Sequence, residues 1–286
     1  MTLNQLYKKC ISLIGSSSDT PALDARIIVQ NVLNIEINAF ILHSQDIVSP
    51  SDEQTILELA KRRAGGEPVA YLIGQRGFYE DNFIVNSSTL IPRADTEILV
   101  EEAIKLDLKS TKNNLEILDL CCGSGCIGIS VAKALTRQGK NIKLILSDIS
   151  KETLEVCKMN CEKLLGDIGV KYEVQCGDLF EEVEGKAFDL ILTNPPYIAT
   201  SVIETLQEQV KREPHLALDG GEDGLKIIRK LTREAPKHLK EGAHLLMEIG
   251  YDQGLAVKAL FEEANLHQVE IKKDLGGCDR VVIGAF

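Results

Sequence analysis

The sequence predicts an α/β fold with a parallel sheet, preceded by a small helical bundle and a hairpin-like connector. Three observations carry that expectation. From residue 94 onward, short apolar runs alternate with amphipathic helical stretches, the pattern of strand–helix–strand units with right-handed crossovers. Residues 1–75 show only the three- and four-residue apolar spacing of helices. Between Leu115–Leu120 and Ile127–Leu135 lies a glycine-rich loop, Asp119-Leu120-Cys121-Cys122-Gly123-Ser124-Gly125-Cys126, placed to join a strand to a helix N-terminus.

In order along the chain, Leu3, Leu6, Tyr7, Cys10, Ile11 and Ile14 form one apolar helical stripe, broken at Ser16-Ser17-Ser18-Asp19. Pro21 suits the start of the next helix, to Leu33, and a short helical piece follows at Ala39–His43. Ser51 and Gln54 have the spacing of a capping box for a helix that ends at Gly65-Gly66. Residues 68–93 change texture, with Tyr71, Phe78, Tyr79, Phe83, Ile84 and Val85 as strand formers broken by Gly74, Gly77 and Asp81-Asn82, and they read as a hairpin-like connector with its linker at 76–93. Residues 94–286 form the second domain. Its helices are expected at Thr96–Leu106, Ile127–Leu135, Lys151–Leu165, Gly224–Leu239 and Gln253–Ala264. Its strands are expected at Leu115–Leu120, Lys143–Ser147, Tyr172–Gln175, Phe188–Thr193 and His244–Glu248. Val269–Lys272 and Arg280–Ala285 close the chain as an antiparallel hairpin.

The 286 residues are 44% hydrophobic and 26% charged, so the chain can bury a core without disulfide or metal staples. No apolar run reaches membrane-spanning length, and no signal-peptide stretch opens the chain, which points to the cytoplasm. The net charge of −11 disfavours loose binding to a phosphate backbone, and the Lys61-Arg62-Arg63 cluster reads as a solvated helix end. The eight cysteines read as reduced thiols. Cys121, Cys122 and Cys126 crowd together without a fourth ligand at usual spacing, so they are read as packing residues and no metal is expected.

Three motifs bear on chemistry. The glycine loop, with Gly123, Gly125 and Gly128 in G-x-G-x-x-G spacing, offers a tight turn and free N–H groups at a helix start. Asp148, 23 residues after Gly125 at the end of the next strand, can accept both hydroxyls of a ribose, or it can cap the following helix. Asp178-Leu179 follows the third strand and can meet an adenine edge and face. To this point a nicotinamide dinucleotide and S-adenosylmethionine both fit. Asn194-Pro195-Pro196-Tyr197, after the strand Phe188–Thr193, separates them. By average usage it should arise by chance in about one chain in a thousand of this length. Its two prolines remove two N–H donors and leave carbonyls that only accept. Asn194 adds a side-chain carbonyl and Tyr197 a flat face. The set suits a planar –NH2 whose lone pair must be aimed at an electrophile.

This tetrapeptide resembles the motif of amino-methylating enzymes that use S-adenosylmethionine. Gly66-Glu67-Pro68-Val69-Ala70-Tyr71-Leu72-Ile73-Gly74, Leu90-Ile91-Pro92-Arg93-Ala94-Asp95-Thr96-Glu97, Glu213-Pro214, Ala217-Leu218-Asp219-Gly220-Gly221 and Gly276-Gly277-Cys278-Asp279-Arg280 together closely resemble the HemK/PrmC family. The resemblance covers nearly the whole chain. It implies a Rossmann-like S-adenosylmethionine-dependent methyltransferase domain with an N-terminal helical substrate-recognition domain (1–75) and a β-hairpin linker. It implies N5-methylation of the glutamine in the Gly-Gly-Gln loop of class-1 peptide release factors. The chain departs from the family pattern at Gly77-Phe78-Tyr79-Glu80, where Glu-Phe-(Trp/Tyr)-Gly is usual, and at Ala94. It also departs at Cys121, where the first glycine of the loop is usual, and at Leu179, where an aromatic is often seen.

In this reading Asn194, Pro195, Pro196 and Tyr197 are catalytic. Gly123 and Gly125 hold the methionine end of S-adenosylmethionine, Asp148 the ribose and Asp178-Leu179 the adenine. Asp119, Cys121, Cys122, Ser124, Asn194, Arg93 and Thr96 complete the cofactor-binding set. The release factor is the partner, with no direct nucleic-acid or membrane binding. Glutamine methylation of a ribosomal protein, adenine-N6 methylation of nucleic acid and a non-enzymatic nucleotide-binding module are the competing readings.

Overall fold

The computed structural model describes residues 1–107 and 112–286. It divides into two compact units, Met1–Gln75 with Gln207–Arg212, and Arg76–Leu206 with Glu213–Phe286.

The first unit opens with helix α1 (Leu3–Ile14), started by a full capping box between Thr2 and Gln5. Pro21 begins α2 (Pro21–Leu33), and α3 (Ile37–Leu42) is a single short turn pair. In α4 (Pro50–Ala64) the cap is Ser49, whose Oγ accepts from Asp52 N at 3.1 Å, and not the Ser51–Gln54 pair the sequence suggested. Pro50 takes the first helical position, where a missing N–H costs nothing, and this moves the helix start two residues earlier. Tyr71, expected as a strand former, lies in the short helix α5 (Val69–Ile73), which Gly74 ends at φ 72°. Five residues are too few for periodicity to declare itself. Leu6, Ile14, Ile28, Val29, Ile56 and Ala60 meet in one apolar cluster. Beside it the buried Arg63 donates through Nε to Asp24 Oδ2 at 2.7 Å and through Nη2 to Gln209 Oε1 at 3.3 Å.

In the second unit, strands β1 (Gln75–Phe78) and β2 (Asp81–Ile84) form a two-stranded sheet. There follow α6 (Glu97–Asp107), β3 (Asn114–Leu120), α7 (Cys126–Arg137), β4 (Asn141–Asp148), α8 (Lys151–Leu165), β5 (Lys171–Cys176) and β6 (Phe188–Thr193). Short helices α9 (Thr200–Ile203), α10 (Glu208–Lys211, in the first unit) and α11 (His215–Leu218) come next. The chain closes with α12 (Lys226–Glu234), β7 (Leu239–Glu248), α13 (Gly254–Glu263), β8 (His267–Lys273) and β9 (Asp279–Ala285). The helix expected over Gly224–Leu239 is thus shorter. It gives way to a 3-10 turn at Ala235–His238, where Pro236 cannot donate the next α-helical bond, and β7 begins five residues earlier than expected.

The large sheet runs β5-β4-β3-β6-β7-β9-β8, with β9 antiparallel to both neighbours and the first five strands parallel. Alternate residues of each central strand enter opposite layers. Ile117, Leu144, Leu146, Leu190 and Leu192 join the core under α6, α7 and α8, whereas Leu118, Ile145 and Ile191 join that under α12 and α13. The β1–β2 hairpin belongs to the first of these layers. Phe78 and Phe83 are fully covered there and meet edge to face at 6.0 Å, worth about 0.5–1.5 kcal/mol beyond the area they bury. Buried Asn160 of α8 fixes the hairpin. Its Oδ1 accepts from Ile84 N at 2.7 Å, and its Nδ2 donates to Ile84 O and to Ser124 O in the glycine loop.

Candidate active site

Chain order places β4 and β5 on one side of β3 and β6 on the other, so the connections diverge at the β3–β6 pair. A cleft must open at the carboxyl ends of strands where successive connections leave in opposite directions. A cavity of 350 Å³ lies there, lined from all four strand ends by Cys121 and Gly123 after β3, Asp148 ending β4, Asp178 after β5 and Asn194 after β6.

The glycine loop is set by close approach. Gly125 caps α7 at φ 81°, and a Cβ there would stand 2.9 Å from Cys157 Sγ. One turn on, a Cβ at Gly128 would stand 2.8 Å from Asp119 Oδ2, the atom that accepts the Gly128 N–H at 2.8 Å. Cys121 adopts φ 54°, a left-handed conformation that glycine takes without penalty and that costs an L-residue about 1–3 kcal/mol. The same holds for Leu179 at φ 54°.

Asp148 is both a cap and a cavity wall. Its Oδ2 accepts from Gly123 N and its Oδ1 from Ser150 N, each at 3.0 Å. Burial raises its pKa, offset in part by those N–H groups. Asp178 lines the cavity and pairs with Lys230 Nζ at 2.5 Å. Leu179, Ile149, Leu216 and Ile227 supply apolar wall. Among the described residues, four carboxylates, Asp148, Glu152, Asp178 and Asp219, reach the lining, and no Lys, Arg or His does.

Of the residues singled out from sequence, the structure brings Cys121, Gly123, Asp148, Asp178, Leu179, Asn194 and Pro196 onto this cavity. Pro195 is buried beside them. Cys122, Ser124 and Gly125 lie behind the wall. Cys122 Sγ sits 3.9 Å from Cys157 Sγ, and burial lifts its thiol to about 12. Among the described residues no group of His, Cys, Asp or Glu is arranged to hold a metal ion. Tyr197 turns its hydroxyl to buried Glu248, donating to Oε1 at 3.2 Å. Thr96 is buried, and its hydroxyl offsets part of the rise that burial gives the Glu248 pKa. Arg93 pairs with Glu213, whose Oε2 also accepts from Ile91 N at 2.9 Å, and Pro214 next to it lines the cavity.

Asp119 lies under the loop, fully buried. Burial raises its carboxyl from 3.8 to about 7, which the Gly128 N–H only partly offsets. The unfolded chain therefore releases this proton near pH 4, whereas the folded chain keeps it until about pH 7. In the cofactor-free enzyme, stability relative to Asp119→Asn is expected to fall by about 4 kcal/mol as pH rises from 4 to 7 and to level off above. Urea unfolding of both proteins across that range checks this; parallel curves would show Asp119 ionised throughout.

Sequence reasoning passed over Asn160, Glu248 and Gln253. Glu248, a carboxylate ending an apolar strand, carried a readable signal. Asn160 and Gln253 sit in ordinary helical sequence and carried none.

The methyltransferase small domain family matches residues 95–222 and the PrmC N-terminal domain family residues 5–74. A release factor glutamine methyltransferase of Caulobacter vibrioides is 37% identical over 93% of this chain and 90% of that one. The chain belongs to the release factor glutamine methyltransferase family. A second release factor glutamine methyltransferase, of Neisseria gonorrhoeae, is 36% identical over 94% of this chain and 95% of its own. The catalytic domain of hMettl16, solved with the MAT2A 3′UTR hairpin 6, superimposes with a TM-score of 0.55 over 83% of this chain and 82% of that chain. At 13% identity this likeness is one of fold alone. Among the described residues no helix is long and apolar enough to cross a membrane.

Proposed function

We propose that the enzyme transfers a methyl group from S-adenosylmethionine to the side-chain amide nitrogen of the glutamine in the Gly-Gly-Gln loop of class-1 peptide release factors. The observation that carries the reading is the Asn194-Pro195-Pro196 segment, held at the strand ends against a cavity walled by carboxylates. The cofactor fits that cavity on its own chemistry. Its ribose diol matches Asp148, already fixed by two backbone N–H groups. Its adenine matches the apolar wall of Leu179, Ile149 and Ile227, and its cationic methionine end matches a lining that has carboxylates and, among the described residues, no basic side chain.

When bound, S-adenosylmethionine supplies an electrophilic methyl on a sulfonium. The chain's task is to make a poor nucleophile attack, because an amide nitrogen shares its lone pair with its carbonyl. Asn194 Oδ1 and the Pro195 carbonyl accept the two amide N–H bonds. This leaves the lone pair as the free direction and draws off positive charge as the new C–N bond forms. The amide proton leaves afterwards to water, so no basic side chain is needed at the reacting nitrogen. The acidic lining opposes a phosphate backbone near Asn194, which disfavours nucleic acid as substrate. The helical unit, with six basic and eight acidic side chains in residues 1–75, holds no comparable set of reacting groups; we assign it the reading of a second surface on the release factor. Remote contacts of that kind supply the selectivity a single glutamine lacks.

The test is a methyl-transfer assay with purified release factor, ribosomal proteins and DNA as separate substrates. Label on the release factor glutamine alone is the expected outcome. Label on a ribosomal protein or on adenine instead would overturn the assignment.

A further inference from the structure

The Asn194–Tyr197 segment cannot anchor itself, because Pro195 and Pro196 have no N–H to donate. Its downstream end is pinned from outside. Gln253, 9% exposed at the start of α13, donates through Nε2 to Tyr197 O at 3.0 Å and to Gly224 O at 3.3 Å. Its Oε1 accepts from Gly250 N at 2.9 Å. Two carbonyls that need donors and one N–H that needs an acceptor fix which way this carboxamide faces. The meeting is built around a glycine. Gly224 adopts φ 74°, and a Cβ there would lie 2.3 Å from Tyr197 O and 2.7 Å from Gln253 Nε2. The next residue, Ile198, is clamped by its N–H to Leu218 O at 3.0 Å and by its carbonyl from Gly220 N at 2.8 Å.

We propose that Gln253 is a positioning residue for methyl transfer: through the Tyr197 carbonyl it sets where the Asn194 and Pro195 acceptors meet the substrate amide. This rests on the function proposed above. The two prolines hold φ near −65°, so a shift at Tyr197 is passed along the motif and not absorbed within it. Gln253 does not line the cavity. Glu248 holds the Tyr197 ring from a different side and leaves its carbonyl free for Gln253. A displacement near 1 Å at reacting groups can cost about a hundredfold in rate.

The experiment compares full-length wild type, Gln253→Met and Gln253→Glu on intact release factor, with calorimetry for S-adenosylmethionine binding. Gln253→Met keeps the length and loses both donors. Its kcat should fall roughly 30- to 100-fold while the cofactor dissociation constant stays within about twofold. Gln253→Glu should fall as far at neutral pH, since a carboxylate has no donor for Tyr197 O. The charged neighbours of that position are Asp252 on the same loop, Asp279 against Gly254, and Glu248 and Arg280 about the Tyr197 ring. The acidic ones favour protonation, and a protonated Glu regains one O–H donor. Its kcat relative to wild type at the same pH should therefore recover about fivefold or more on acidification, and that of Gln253→Met should not. A Gln253→Met enzyme at the wild-type rate would overturn the inference. So would a loss of rate matched by loss of cofactor binding with no acid recovery in the Glu variant. Wild type inert on release factor would instead overturn the function reading on which the inference depends.

Discussion

Asn194→Ala is expected to lower kcat for release factor methylation by roughly 10²–10³-fold while S-adenosylmethionine still binds. Asn194 follows β6, where Leu190–Thr193 pair in register with Ile117–Leu120 of β3, so its backbone position does not depend on its side chain. The side chain lines the cavity and supplies one of only two acceptors proposed for the amide N–H bonds. Truncation therefore removes charge relief in the transition state and leaves the cofactor walls in place. Single-turnover kinetics and calorimetry on the same preparation decide the matter. Loss of cofactor binding in step with rate would assign Asn194 to the cofactor site instead.

Asp148→Ala should act at the other end of the cavity and raise the cofactor dissociation constant by roughly 100-fold. Hydrogen bonds to a charged group contribute about 1.5–3 kcal/mol each. This carboxylate holds Gly123 N and Ser150 N as well as the proposed ribose hydroxyls. Asp148→Asn keeps one acceptor and should lie between. An unchanged constant for the alanine variant would reduce Asp148 to a structural cap of α8.

The strand ends, the glycine loop and Asn194–Tyr197 were legible because each is a local pattern. An apolar run fixes a strand, Gly125 fixes the turn after it, and paired prolines admit few backbone conformations. Where local pattern competes with context, reading failed. Ser51 with Gln54 had the spacing of a cap, but Pro50 moved the helix start and gave Ser49 the role. Tyr71 has a strand former's side chain inside a five-residue helix. Two supports of the site, Asn160 and Gln253, were not legible at all. Asn160 meets Ile84 across 76 positions, and Gln253 meets Tyr197 across 56. No spacing rule reaches so far, and neither residue type is unusual where it stands. Cys121 is a different case. The departure from glycine was visible in the sequence, but only the φ of 54° shows that the chain keeps the left-handed turn despite its side chain.

The helical unit also takes in Gln207–Arg212, and this bears on the order in which the protein is made. Asp19, Arg63 and Gly65 find partners in Gln207, Gln209 and Arg212. Those partners leave the ribosome some 132 residues after Gln75, roughly 7–26 s later at usual synthesis rates. Until then the newborn bundle lacks one of its walls, and the buried Arg63 guanidinium has only Asp24 to satisfy it. A unit that begins to form early in synthesis is therefore completed late, and a nascent chain stalled before residue 207 would expose it to chaperones and proteases.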